Sequence, residues 1–171
     1  INLIAGISDD DTRADGILDT KEVRYEKMDE EVEIMKKLWA APGAIDHQGK
    51  HYTVTQAIEP KPLQKPFPPF FLGGGSDYAL EVSAKHSTVH LFWGDKPAVI
   101  AENIKDMRQR AAKYGRADAL GFGMRLQIVC RETESEAMEA ADQLIRHIPE
   151  AARDLLKQRV ANSKANQRVQ E

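Results

Sequence analysis

The 171-residue sequence has one cysteine, Cys130, so no internal disulfide can staple it. It also has no apolar run approaching the ~20 residues that a membrane-spanning helix requires. With 24 lysines and arginines against 27 acids, the formal net charge is -3. That balance lacks the basic excess that nucleic acid or an anionic membrane surface would select, so neither is an expected partner. None of the five histidines falls in an HExxH pattern, and no metal site is expected. Asp9-Asp10-Asp11 lack the spaced glycine and glutamate of a calcium loop and read as a solvated polar loop. The opening "INLIAG" lacks the basic and long apolar segments of a signal peptide, and a reducing cytoplasm is the expected location. It reads as a cut through a longer protein.

What remains is ordinary for a globular chain, at 42% hydrophobic and 30% charged, with length for one sizeable core. Ile1 to Ala5 reads as a short strand closed by Gly6, followed by the acidic loop. Asp19 stands three residues before Glu22 as in a capping box. Met28, Val32, Met35, Leu38 and Trp39 then recur at helical spacing, so a helix of about five turns is expected to end near Pro42-Gly43. "AIDHQGKHYTVT" predicts a small hairpin around Gln48-Gly49. "PKPLQKPFPP" holds five of the eight prolines and must be extended. Beyond it the rhythm is strand then helix: "FFLGGG" into Asp77–His86, "TVHLF" into a helix begun at Pro97, and "GFGMRLQIVC" into a helix capped by Thr133 and Glu136. Four strand-helix units imply a parallel sheet, either doubly wound or closed as a barrel, and four units are half of a (β/α)8 barrel. The domain is expected over 1–148, with 149–171 a helical or disordered tail.

Ligands of parallel α/β folds sit at the carboxyl ends of the strands. Gly73-Gly74-Gly75 lies at such an end, although each ordered glycine costs roughly 0.5–1 kcal/mol against alanine. Bare amides before the helix starting at Ser76 and Asp77 could wrap a phosphate; a tight turn with close helix packing is the other reading. On the last strand, alternation over 121–130 places Phe122, Met124, Leu126, Ile128 and Cys130 against helices, with Cys130 an inert core thiol. Gly123, Arg125, Gln127 and Val129 share the opposite face. Arg125 would point inward and must meet an acid, carbonyls or an anionic ligand, so a structural ion pair and a binding role both stand. Trp93 is either a pocket wall or plain core.

In order, "NLIAG", "RYEKMDEEVEIMKKLW", "GKHYTV", "PPFFLGGGSDYALEVSAKH", "FWGDKPAVIAENI" and "FGMRLQIVCRETESEAMEAADQLI" resemble the middle of a bacterial luciferase-like flavin monooxygenase, the alkanesulfonate monooxygenases in particular. The resemblance runs from residue 1 to about 148 and implies a partial TIM barrel, strands four to seven with their helices. It implies reduced FMN delivered by a separate NAD(P)H-dependent flavin reductase, a small organosulfur substrate, and oxygen-dependent C–S cleavage to aldehyde and sulfite. A homo-oligomer is implied for the full-length protein, and a fragment inactive alone. Gly74, Gly75 and Ser76 would contact the flavin phosphate, with Gly75 where serine is usual, and Asn2 and Tyr25 would border the flavin. Threonine is usual where Ala5 stands and histidine where Lys21 stands. Trp93 and Arg125 match active-site positions, while Gln127 replaces a histidine and cannot titrate near neutral pH. The alternatives are another flavin- or deazaflavin-dependent oxidoreductase of the same family, or a non-catalytic module binding a phosphate-bearing ligand.

Overall fold

A computed structural model describes residues 1–6 and 9–161, and for 9–11 and 156–161 the backbone alone. Strand β1 (Asn2–Leu3) is followed by helices α1 (Asp9–Ala14) and α2 (Lys21–Ala40), and then by the hairpin of β2 (Ile45–Gln48) and β3 (Thr53–Ala57). Next come β4 (Phe71–Gly73), α3 (Asp77–His86), β5 (Val89–Trp93), α4 (Pro97–Ala112), β6 (Gly121–Arg125), α5 (Glu134–Arg146) and α6 (Glu150–Ala161). The acidic stretch expected to be loop thus carries the short helix α1. The rest of the expected tail, 162–171, lies outside the described residues.

The four parallel strands lie in the order β1-β4-β5-β6. This consecutive order has no reversal, whereas a doubly wound sheet reverses direction where its halves meet. Right-handed crossovers taken always in one direction put the helices on one face. Register divides the residues accordingly. Leu3 pairs with Leu72, Leu72 with His90, and His90 with Phe122, and this row faces the helices. Leu3 and Leu72 pack with Tyr25, Met28 and Val32 of α2 and with Ala79 and Val82 of α3. Phe92 and Phe122 pack beside Ala84, Met107 and Ala111. The opposite row, Phe71, Gly73, Val89, Leu91, Gly121 and Gly123, is the concave inner face of a barrel segment.

Local chemistry explains the helix limits. Thr20, not Asp19, caps α2, its hydroxyl accepting from the Val23 amide at 3.3 Å, while Asp19 is left to pair with Lys27. The Thr133–Glu136 capping box before α5 forms as the spacing predicts. However, α5 buries none of its residues, and Met138, Leu144 and Ile145 of its apolar stripe are exposed. The hairpin is tied to α2 by Glu30, whose carboxylate accepts from the His51 and Tyr52 amides at 2.9 Å each and bonds His47 Nε2 at 3.0 Å.

The last strand departs from expectation. It ends at Arg125, and 126–130 is irregular. The cause is the length of its neighbour: β5 ends at Trp93, and after Gly94 N–H donates to the Arg125 carbonyl at 3.1 Å there is no strand left to pair with. Leu126, Ile128 and Cys130 are consequently exposed in this chain instead of packed under its helices.

Candidate functional site

The glycine loop is assembled by three elements. Gly73 closes β4 on the inner face, Gly74 takes φ +145°, and Ser76 caps α3 by accepting from the Ala79 amide at 3.3 Å. A Cβ on Gly74 would lie 2.9 Å from the Ala79 methyl carbon and 3.6 Å from the Tyr25 hydroxyl, so only a bare backbone passes between α3 and α2 here. Among the described residues, the amides of Gly75 and Ser76 donate to no protein acceptor. These free donors at the positive end of a 10-residue helix are suited to an anion.

Tyr25 is buried behind this loop, with Ser76 beside its hydroxyl. Burial raises its pKa above the usual phenol value, opposed by Ser76 and by the charge of Arg24, so the phenol stays neutral. Tyr78 stacks near its ring, with centroids 6.4 Å apart. Asn2 is exposed one strand away and pairs in register with Phe71. Arg24 is an organising residue the sequence reading passed over: Nε donates to the Ala5 carbonyl at 2.9 Å and Nη1 to the Asp19 carbonyl at 2.8 Å, closing the chain around Gly6 at φ +99°. Its position beside Tyr25 was the available signal, but long-range bonds to carbonyls leave no spacing to read.

The second cluster stands at the ends of β5 and β6. Trp93 and Arg125 are register partners, and the Arg125 guanidinium carbon lies 5.0 Å from the Trp93 ring centroid. The packing of Phe92 against Phe122, with the Arg108 guanidinium from α4 above Phe122, fixes that row as the helix side. Trp93 and Arg125 therefore belong to the inner row. Trp93 is 45% exposed in this chain. No carboxylate pairs with Arg125 among the described residues, so of the two readings the ion pair has no partner within them. Gln127 is exposed and lies beyond β6, outside the ladder that was expected to align it with Arg125.

Between the two clusters the floor is apolar and low. A Cβ on Gly123 would come within 2.8 Å of Leu91 Cδ2 and 3.5 Å of Val89 Cγ1, so Leu91 and Val89 lean across the bare backbone of β6. Among the described residues no group of three or more metal-ligating side chains is gathered, and no helix is long and apolar enough to cross a membrane.

Comparison with known proteins agrees with this architecture. The family model described as luciferase-like monooxygenase matches residues 1–171. Among solved structures, riboflavin lyase RcaE, determined with modified FMN and riboflavin, is 21% identical with a TM-score of 0.71, over 79% of this chain and 35% of that one. Long-chain alkane monooxygenase LadA is 25% identical with a TM-score of 0.67, over 77% and 35%. DmoA from Hyphomicrobium sulfonivorans is 23% identical with a TM-score of 0.65, over 84% and 36%. The chain therefore spans about a third of the length of these structures and corresponds to part of a barrel. On the family match and the shared fold, it belongs to the luciferase-like monooxygenase family.

Proposed function

We propose that this chain supplies the reduced-flavin phosphate site and the anion-binding edge of a two-component FMNH2-dependent monooxygenase, acting on an organosulfur anion such as an alkanesulfonate. The observation that carries the reading is Arg125. It is a guanidinium on the inner row at a strand end, stacked on Trp93 and without a carboxylate partner among the described residues.

The glycine loop fits the phosphate of FMN. Gly75 and Ser76 would donate their amides, with Gly74 allowing the close approach and Tyr25 standing beside the Ser76 hydroxyl. Asn2 would border the ring system from β1. Reduced FMN supplies two electrons to oxygen; one oxygen atom ends in the aldehyde and the other in water as sulfite leaves. Arg125 would hold the sulfonate by charge-assisted hydrogen bonds, and the Trp93 face keeps the guanidinium plane oriented for that grip. Leu91 and Val89 would take the substrate's alkyl portion, since their low floor offers no polar atom to it. Gln127 can hydrogen-bond but cannot exchange a proton near neutral pH, so any proton transfer falls to another group or to water.

Binding of FMN and FMNH2 to the protein carrying this chain, followed by sulfite release from a series of alkanesulfonates under oxygen, tests the reading. Flavin binding with sulfite release is the expected result. Binding without sulfite would overturn the sulfonate assignment, and failure to bind flavin would overturn the phosphate loop.

A further inference from the structure

Away from the strand ends, three side chains of α2 and α3 form a continuous hydrogen-bonded line. Asp29 Oδ1 meets His86 Nε2 at 2.7 Å, and His86 Nδ1 meets Lys36 Nζ at 3.1 Å. Lys36 Nζ also donates to the His86 carbonyl at 3.0 Å. Since a carboxylate only accepts, the proton sits on His86 Nε2, and Nδ1 presents its lone pair to the lysine. The imidazole is nearly fully buried, with 5% of its side chain exposed, and its pKa is lowered mainly by burial despite Asp29. It is therefore a neutral hydrogen-bond acceptor facing Lys36 Nζ.

Lys36 is half-buried, with Nζ 5.5 Å from the ring centroids of both Phe67 and Phe70. Its pKa is lowered to about 8, first by burial and then by the cations Arg116 and Lys85, with Asp29 and Glu33 opposing. Lys85 is itself held by Asp29 at 2.8 Å and faces Glu33 at 4.0 Å. The arrangement has the logic of a nucleophile, a base and an orienting carboxylate.

We propose that Lys36 is a nucleophilic amine, with His86 its base and Asp29 the group that orients His86, and that it is acylated by small activated acyl donors, acyl phosphates or acyl thioesters. In the step, the Nζ–C bond forms and the C–O or C–S bond of the donor breaks. The proton lost from Nζ passes to His86 Nδ1, where Asp29 steadies the imidazolium, and then to the departing phosphate or thiolate. No oxidant or reductant is required. The amide product has no positive charge and cannot keep the stacking on Phe67 and Phe70. Phe70 immediately precedes β4, whose end carries the glycine loop.

The test is incubation of the protein carrying this chain with acetyl phosphate, and separately with an acetyl thioester, followed by site-resolved mass spectrometry of each lysine. At pH 8 Lys36 is expected to react about tenfold faster than exposed Lys105 and Lys113, allowing for the nucleophilicity lost as basicity falls. Reaction with only one donor class identifies the source. His86→Gln should slow Lys36 by about tenfold or more while leaving Lys105 and Lys113 unchanged. Where that variant does not fold, the pH profile of labelling in the unaltered protein decides. A rise centred near pH 8 supports the proposal, and labelling of Lys36 no faster than Lys105 and Lys113 from pH 6 to 10 overturns it.

Discussion

Arg125 lies across the face of Trp93 at 5.0 Å, and the two are register partners at the ends of adjacent parallel strands. The sheet itself therefore sets their separation, and the stack contributes about 0.5–1 kcal/mol at such an exposed site. Arg125→Lys keeps the charge but loses the planar fork. It should lower kcat/KM for a sulfonate by roughly 10- to 100-fold, the loss of 1–3 kcal/mol of charge-assisted bonding. Flavin affinity should stay unchanged, as titration would show. Equal losses in flavin binding would mean that Arg125 serves the cofactor.

The glycine loop makes a different prediction at each residue. Gly74→Ala forces a side chain into φ +145° with a Cβ 2.9 Å from Ala79, and should cost on the order of 1–3 kcal/mol in urea unfolding and abolish tight FMN binding. Ser76→Ala removes the α3 cap, about 1 kcal/mol, and the hydroxyl beside Tyr25, and should weaken FMN by a few-fold. If Gly74→Ala bound FMN normally, the phosphate assignment would fail.

Much of this architecture was legible because it is local. The span Asp77–His86 has a serine cap and a basic last turn, and β5 is an apolar run bounded by polar residues and Gly94. The cap of α2 missed by one residue because Asp19 and Thr20 are both competent caps, and the choice was made by the distant Lys27. The length of β6 was not legible, since "LQIVC" keeps apolar residues at 126, 128 and 130 and only the end of β5 stops the strand. Within the site, residue types at strand ends could be read from the βα rhythm, but the stacking of Arg125 on Trp93 depends on register between strands 32 residues apart, as their numbers 93 and 125 show.

His90 gives a pH dependence of folding. It is fully buried against Phe92, with Nδ1 on the Ser83 hydroxyl at 2.9 Å and Nε2 without a partner, and burial pushes its pKa down to about 4. The unfolded histidine titrates near 6.5 and so binds the proton first as pH falls. Stability from this residue is full above pH ~6.5 and is lost progressively down to pH ~4, by on the order of 3 kcal/mol. His90→Leu should flatten the urea-unfolding free energy over that window, because the Ser83 hydroxyl can turn to its own helix carbonyl. A slope unchanged in the variant would place the titration elsewhere, with His86 the next group to test.

The hairpin depends on an absence of side chain. A Cβ on Gly49 would stand 1.8 Å from Glu30 Oε1 and 2.6 Å from His47 Nε2. Gly49→Ala should thus displace the carboxylate from the His51 and Tyr52 amides, and limited proteolysis should cut within 45–57 far faster than in the parent. The strand-end clusters lie on other elements, so flavin affinity should be retained.

The low floor of the inner face sets what can lie on it. Barrel interiors are usually filled by bulky branched side chains in layers, yet Gly73, Gly121 and Gly123 flank the residues of β5 here. A Cβ at 121 would stand 3.3 Å from the Thr88 carbonyl oxygen, a tight contact with backbone, and 3.5 Å from Val89 Cγ2, whereas one at 123 would press on Leu91 Cδ2 at 2.8 Å. Leu91 would have to rise toward the space between the glycine loop and Arg125. Gly121→Ala should therefore cost some stability at the start of β5 without a dependence on substrate length, while Gly123→Ala should lift Leu91 and penalise the longer substrates of a homologous series. One excluded methylene is worth about 1–3 kcal/mol, so the preference for the longest members should fall by roughly 10- to 200-fold in kcat/KM, with the shortest little affected. A uniform loss across the series would show that Leu91 supports the barrel alone and that the alkyl portion lies elsewhere.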